Sequence, residues 1–327
     1  MIAITGATGH LGNVLTRSLC AAHPGEVHAV VLPGEPRTPL SGLDVAIREA
    51  DVRDYSSLVA AFAGASLVFH LAGIVSIASG GLNTLRATNV EGTRNVLGAC
   101  RTAGVGRLVY TSSVHAFEEL PFGTCLTEKE AIDPHRVRGT YAKSKAEATL
   151  LVQQAAAEGA DVVMAFPSGI VGPYDFRPSE TGQLLLDCFG GRLKAYVDGA
   201  YDFVDVRDVA AGLIAAAKKG RRGEGYILSG HHITVRDLLG SVERITGRPA
   251  PQWRLSFGFV RAVSFLIPAY YFLSRTRPLF TTYSLDVLAS NCEMSHEKAA
   301  DELGYSSRPL DGTLCDTLRW FRRAGML

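Results

Sequence analysis

The strongest constraint on the fold lies at the amino terminus, where MIAITGATGHLGNVL runs from a short β-rich segment straight into a glycine turn. Gly6, Gly9 and Gly12 follow residues 2–5 and open an apolar-periodic stretch over 10–22. Glycine permits the tight turn and lets backbone amides come close to a phosphate. The helix that starts there offers unpaired N–H groups and the positive end of its dipole to a pyrophosphate. The spacing is G-x-x-G-x-x-G rather than G-x-G-x-x-G, and tight packing alone also explains a glycine triplet. Its place between a first strand and a helix is what points to dinucleotide binding.

The same rhythm continues. Strands are expected at 2–5, 27–32, 45–49, 67–71, 107–111 and 162–166, with helices near 10–22, 55–63, 82–103 and 141–158. Such alternation implies right-handed βαβ units and a parallel sheet covered on both faces. LVFHLAG and RLVYTSS are near-continuous apolar runs, as central parallel strands require, and both end in small or polar residues where a ligand crevice would lie. After Phe166 the rhythm breaks. PSGIVGPYDFRPSETG reads as loop, and helical pieces are expected near 180–190, 206–219, 234–246, 284–289, 296–303 and 310–324. GYILSG, 225–230, reads as a late strand returning to the sheet. The expected fold is therefore α/β, a Rossmann-type doubly wound parallel sheet with a smaller, mostly helical C-terminal substrate lobe. The domains expected are 1–167 for the dinucleotide, rejoined by 202–230, and 168–327 for the substrate.

Charge excludes one class of partner. With 33 basic and 32 acidic residues the formal net charge is +1, so no basic excess exists to neutralise a nucleic-acid backbone. Cys20, Cys100, Cys125, Cys188, Cys292 and Cys315 are scattered, without C-x-x-C or histidine at ligand spacing. Free thiols in a reducing cytoplasm explain them better than disulfides or zinc. A strand beginning at residue 2 leaves no room for a signal peptide. The apolar run FGFVRAVSFLIPAYYFL, 257–273, is broken by Arg261 and Pro268 and falls short of the roughly 20 residues a membrane span needs.

Further positions bear on function. An acidic residue is expected at the tip of the second strand if the cofactor is NAD, to bind its ribose hydroxyl. Val31, Leu32 and Pro33 stand there instead, with Glu35 and Arg37 further along the loop. Without the anion that would repel a 2′-phosphate, and with Arg37 in reach, the reading leans to NADP. In YAKSK, residues 141–145, Tyr141 and Lys145 stand one helical turn apart and face the same way. Alone, such a pair reads far more readily as a solvated helix face than as chemistry.

Several motifs set that pair in context. TGATGHLG, ADVRD (50–54), HLAG (70–73), NVEGTRNVL (89–97), VYTSS (109–113), YAKSK and PSGIVGP (167–173) occur in order and at the spacing of the extended short-chain dehydrogenase/reductases. Over about residues 1–230 the chain resembles that family, which includes nucleotide-sugar epimerases and dehydratases, 3β-hydroxysteroid dehydrogenases and dihydroflavonol-type reductases. The resemblance implies an NAD(P)-dependent enzyme with Tyr141 as acid/base, Lys145 as its partner and Ser113 as the catalytic serine, Ser112 being the fallback. It places Gly6, Thr8, Gly9, His10, Leu11 and Gly12 around the pyrophosphate, with Asp51 and Val52 near the adenine. Leu71, Ala72, Gly73 and Asn89 would lie on the nicotinamide-ribose side, where Ser112 also counts as a cofactor contact. Pro167 and Ile170 would pack near the nicotinamide, and Arg37 would serve the far ribose. Relatives suggest a homodimer through 82–103 and 141–158.

The chemistry implied is simple. A free phenol has a pKa near 10, and a neighbouring ammonium together with an oxidised nicotinamide would lower it. Ser113 can hydrogen-bond the substrate oxygen as a carbonyl becomes an alcohol. Lys143 and Ser144, between the pair, point elsewhere and are expected to do little. His115 is as readily a loop histidine as a substrate contact, and Asp205 and Asp208 read as a helix start. HH at 231–232 lacks acidic or cysteine partners at ligand spacing, and KKGRR (218–222) reads as an exposed helix end. Tyr270, Tyr271 and Phe272 read as pocket wall or core.

Two reactions compete. The first is ketone–alcohol interconversion on a bulky, largely apolar small molecule, steroid- or dihydroflavonol-like. The aromatic segment 253–273 and the resemblance of VYTSSVHAF and FPSGIVGPYDF to that branch favour it. The second is a nucleotide-sugar epimerase or dehydratase, weakened because VHAF and AFPSGIVGP stand where those relatives carry a tyrosine-glycine pair and an RxxNxYGP-like segment. A non-catalytic NADP-sensing protein is the third alternative, and intact Tyr141, Lys145 and Ser113 argue against it.

Overall fold

The computed structural model describes residues 1–75, 82–121, 123–256, 258–260 and 293–327. Among them, seven strands form one parallel sheet: β1 (Ile2–Thr5), β2 (Val27–Val31), β3 (Ala46–Glu49), β4 (Leu67–His70), β5 (Arg107–Thr111), β6 (Val162–Pro167) and β10 (Gly225–Leu228), in the order β10-β6-β5-β4-β1-β2-β3. The order reverses between β1 and β4, the switch point of a doubly wound sheet. The late strand joins as expected, Leu228 lying opposite Pro167.

Helices cover both faces. Against one lie α2 (Tyr55–Phe62), α4 (Gly92–Thr102) and α5 (Thr140–Ala157), burying Leu58, Phe62, Val96 and Val152 with Val68, Leu108, Tyr110 and Phe166. Against the other lie α1 (His10–Ala22) and α7 (Val206–Lys219), burying Leu15, Leu19, Val209 and Leu213 with Ile4, Phe69, Val109 and Val163. Strand residues of alternate parity therefore enter opposite cores, as the pleat dictates.

The helix expected over 82–103 is not uniform. It comprises α3 (Leu82–Arg86), a π-helical turn at Ala87–Glu91 and then α4. The extra residue in a π turn redirects side chains locally, a device often found at functional sites, and Asn89 lies within it.

Short strands accompany the helices of the lobe among the described residues. The segment read as loop contains β7 (Gly169–Val171), which pairs in parallel with β9 (Ala200–Asp205), itself antiparallel to β11 (His231–Thr234). A second pair joins β8 (Ala195–Val197) to β12 (Trp253–Leu255). Three-residue strands set among Pro and Gly give no local signal, because their stability comes from partners some thirty or more positions away. Helices α6 (Glu180–Phe189), α8 (Val235–Thr246) and α10 (Leu310–Arg323) pack Leu185, Leu239 and Leu314 against this sheet, and α9 (Glu297–Leu303) returns to α7. Asp205 caps α7 through Arg207 N at 2.8 Å, as its helix-start reading requires, and also accepts from Thr313 Oγ1 at 2.7 Å. Asp208 accepts from Arg308 Nε at 2.8 Å, so both aspartates also tie the C-terminal segment down.

Cys20, Cys100, Cys125, Cys188 and Cys315 are free thiols. No helix among the described residues is long and apolar enough to cross a membrane. The expected helix at 284–289, Tyr270, Tyr271, Phe272, Cys292 and most of the apolar run 257–273 lie outside the described residues.

Candidate active site

The glycine turn is built by contact with the neighbouring strand end. Gly6 has φ +70°, and a Cβ there would stand 2.7 Å from Ala72 N and 2.9 Å from the Leu71 carbonyl carbon. Thr5 Oγ1 accepts from the amides of Leu71 and Ala72, at 3.2 Å each, which locks the two strand ends together. A Cβ on Gly12 would lie 2.0 Å from Gly6 O, so that glycine is demanded by the turn itself. Gly9 differs, since its Cβ would meet only Gly6 O, at 3.3 Å. Packing does not demand that glycine, and the space above it is open to a ligand.

A dinucleotide fits this place. The N-terminus of α1 carries no side-chain cap and no acidic residue in its first turn, so its amides and dipole are available to an anion. Buried Asn13 fixes the turn by donating to Gly9 O at 2.8 Å, and Thr8 is buried beneath it. His10 is turned toward the lobe, its Nε2 bonding Pro173 O at 3.0 Å, and Leu11 packs on the core behind α1.

At the far end of the crevice, Lys145 is buried and donates to Thr111 O at 2.9 Å. A Cβ on Gly73 would stand 3.2 Å from Asn89 Oδ1 and 3.7 Å from Lys145 Nζ, so these three converge. Asn89 grips the chain after β4, accepting from Ile74 N at 2.8 Å and donating to Ile74 O at 3.0 Å. Asn89 Nδ2 also donates to Ser144 Oγ at 3.0 Å, and that hydroxyl donates to Tyr141 O at 2.7 Å. Ser144 is thus a buried link between α5 and Asn89, which grips the chain after β4, rather than an idle position. Lys143, by contrast, is exposed.

Tyr141 is buried beside Ser113, whose side chain favours the phenolate form. Ser113 also caps a one-turn helix, Val114–Ala116, by accepting from His115 N at 3.3 Å. Ser112 is buried and pairs with Thr149 Oγ1 at 2.6 Å. Pro167 ends β6 buried, and Ile170 lies on β7, its carbonyl held by Thr181 Oγ1 at 2.7 Å.

Burial dominates the electrostatics. It pushes the Tyr141 phenol up to about 12, against the opposing effect of the Ser113 side chain and with some help from the Glu180 carboxylate. It pulls Lys145 down to about 8. Burial therefore favours the protonated form of Tyr141. His70, at the end of β4, is driven by burial to about 3, so its ring is neutral and joins Thr5 Oγ1 at 2.8 Å to Thr93 Oγ1 at 3.1 Å.

The adenosine end is less well matched. Asp51 is engaged by Arg53, accepting from its backbone N at 2.9 Å, while Val52 is buried beneath Gly92. Arg37 is paired with Glu49 on β3, and Glu35 with Arg177 from the lobe.

Sequence reasoning missed His70, Thr93, Ser144 and Tyr201. Only His70, a polar residue inside the apolar run LVFHLAG, carried a local signal. Tyr201 bonds His115 Nε2 at 2.8 Å, and nothing in the sequence linked the two.

The family model for the NAD-dependent epimerase/dehydratase family matches residues 2–229. The chain is 37% identical, over 99% of both chains, to sterol demethylase protein B of Methylococcus capsulatus. It is 32% identical to a dihydroflavonol 4-reductase assigned in Synechocystis, over 98% of this chain and 94% of that one. The crystal structure of a nucleoside-diphosphate-sugar epimerase from Pseudomonas aeruginosa superposes with a TM-score of 0.83 at 26% identity, covering 100% of this chain and 98% of the other.

Proposed function

Since the chain belongs to the NAD-dependent epimerase/dehydratase family, in the extended branch of the short-chain dehydrogenase/reductases, and is an NAD(P)-dependent enzyme, we propose that it interconverts a ketone and an alcohol on a bulky, largely apolar substrate of the sterol or dihydroflavonol class. The observation that carries this reading is the burial of Tyr141 beside Ser113, one helical turn from Lys145. The relatives named for sterol and dihydroflavonol chemistry supply the substrate class.

A bound nicotinamide supplies or accepts the hydride at the carbinol carbon. The chain's own residues do the rest. Tyr141, held protonated by burial, gives its proton to the substrate oxygen during reduction and takes it back during oxidation. Ser113 donates to the same oxygen and stabilises its developing charge. Lys145, anchored by Thr111 O, restores charge balance when Tyr141 is a phenolate and holds the nicotinamide ribose. Gly6, Gly9, Gly12 and the first-turn amides of α1 take the pyrophosphate, and Gly73 and Asn89 shape the ribose side. Residues 168–327, apart from the strip 202–230, would form the substrate lobe. NADP remains the favoured cofactor, because β2 ends without a carboxylate and Arg37 needs only to exchange Glu49 for a 2′-phosphate.

The test is turnover with NADPH and NADH against 3-ketosteroids, decalone and UDP-sugars. Ketone-dependent cofactor oxidation is expected, abolished in Tyr141→Phe while cofactor affinity stays the same. Turnover of sugars alone, without net cofactor consumption, would replace this reading with an epimerase. Activity surviving in Tyr141→Phe would remove the phenol as acid/base.

A further inference from the structure

Beside the Tyr141 ring lies His115, which, with its partner Tyr201, the reaction above does not use. His115 sits in the turn capped by Ser113, its imidazole edge-on to the Tyr141 ring with centroids 6.3 Å apart at 71°. Its Nε2 bonds Tyr201 Oη at 2.8 Å, and the two rings lie stacked with centroids 6.2 Å apart. Tyr201 belongs to β9, in the small sheet of the lobe. It fits because residue 169 has no side chain. A Cβ on Gly169 would lie 2.3 Å from Tyr201 Cε1, and the ring occupies that space.

We propose that His115 and Tyr201 form a positioning pair for the acid/base, through which the lobe's small sheet fixes the catalytic serine and tyrosine. The route is short. Tyr201 anchors the His115 ring, that ring packs edge-on to Tyr141, and His115 N donates to Ser113 Oγ at 3.3 Å beside the phenol. Releasing His115 lets the Val114–Ala116 turn slip and takes Ser113 out of line with the phenol. The imidazole suits a fixed spacer rather than a proton carrier, since burial holds it near 4 and hence neutral at ordinary pH. A bond from a strand of the lobe to a turn at the end of β5 also means that a shift of the substrate lobe is felt at the proton-transfer centre.

The inference rests on the ketone–alcohol reading for its kinetic assay, with decalone or a 3-ketosteroid as probe. Tyr201→Phe keeps the ring over Gly169 and removes only the hydroxyl, so the fold should survive, which a thermal melt checks. Tyr201→Phe and His115→Ala should each lower kcat about tenfold, a fraction of the usual acid–base contribution, with the ketone KM and cofactor Kd within about twofold. The double variant should be no worse than the poorer single one, as expected for two members of one route. His115→Gln, which retains a side-chain donor, should recover part of the loss. Multiplying effects, or a raised KM at unchanged kcat, would overturn the pair and make these residues independent substrate contacts.

The two failures stay distinguishable. Wild-type protein inactive on every ketone refutes the functional reading, and histidine NMR then tests the pair alone. The His115 ring signals should move in both Tyr201→Phe and Tyr141→Phe, and a signal blind to Tyr201→Phe refutes the pair.

Discussion

The three glycines of the first turn should separate into two kinds when each is replaced by alanine. At Gly12 the new methyl would stand 2.0 Å from Gly6 O, 2.8 Å from Gly6 C and 2.9 Å from Ala7 Cα, all backbone atoms that cannot rotate away. Overpacking of this sort costs about 3 kcal/mol, and the better helix propensity of alanine returns about 1 kcal/mol. A net loss of about 2 kcal/mol corresponds to a drop of roughly 4 °C in Tm for a chain of this size. At Gly9 the backbone is ordinary, with φ −69° and ψ 170°, and the methyl meets only Gly6 O at 3.3 Å. An N-cap change from glycine to alanine costs under about 1 kcal/mol, or roughly 2 °C. The same methyl projects into the space where the pyrophosphate would approach. Losing one or two charge-assisted hydrogen bonds there costs about 3 kcal/mol, roughly a hundredfold in Kd. The assays are thermal unfolding of the protein without cofactor and calorimetric titration with NADPH and NADH. Gly12→Ala should be the less stable variant. Gly9→Ala should be nearly as stable as wild type and much the weaker binder. A Gly9→Ala protein that binds either cofactor with wild-type affinity would refute the placement of the pyrophosphate.

Three further outcomes follow from the same geometry. Ser144→Ala removes the bond from Asn89 and the one to Tyr141 O, so unfolding in urea should show a loss of about 1–2 kcal/mol and steady-state assays a fall in kcat of about tenfold. His70 and His115 are held near 3 and near 4, below the usual 6.5 of the unfolded chain. From pH 6.5 down to about 4 the unfolded state therefore binds a proton at each that the folded state does not, and stability falls as pH falls. The slope is about 1.4 kcal/mol per pH unit for each histidine, and urea unfolding of His115→Gln should show one such contribution removed. Arg308→Ala leaves the carboxylates of Asp205 and Asp208 buried with fewer partners, at a cost of about 2 kcal/mol, seen as earlier unfolding in urea with the m-value unchanged.

How much of this was legible varies with how local the cause is. Most of the main-sheet strands fall within a residue or two of their expected bounds, because each is a short apolar run between turn signals, with β5 expected and found at Arg107–Thr111. The helix carrying Tyr141 and Lys145 was equally plain. The small sheet was not. Gly169–Val171 and Ala200–Asp205 stabilise each other across about thirty residues, and neither carries a period strong enough to stand alone. Ser112 and Ser113 show the same division within two adjacent positions. Both were candidates; Ser112 pairs with Thr149, while Ser113 caps the turn that carries His115.

The sequence by itself determined the Rossmann-type alternation, the glycine turn and the residues that could transfer a proton, since these rest on periodicity, backbone freedom and side-chain chemistry within one element. Tertiary structure decided which of them meet. It set Asn89 and Lys145 beneath Gly73, turned Ser144 into a link, tied Arg37 to Glu49 and brought Tyr201 onto His115. It also fixed the protonation of Tyr141, because a phenol's pKa follows from how much water and charge surround it, and burial is a property of the assembled fold.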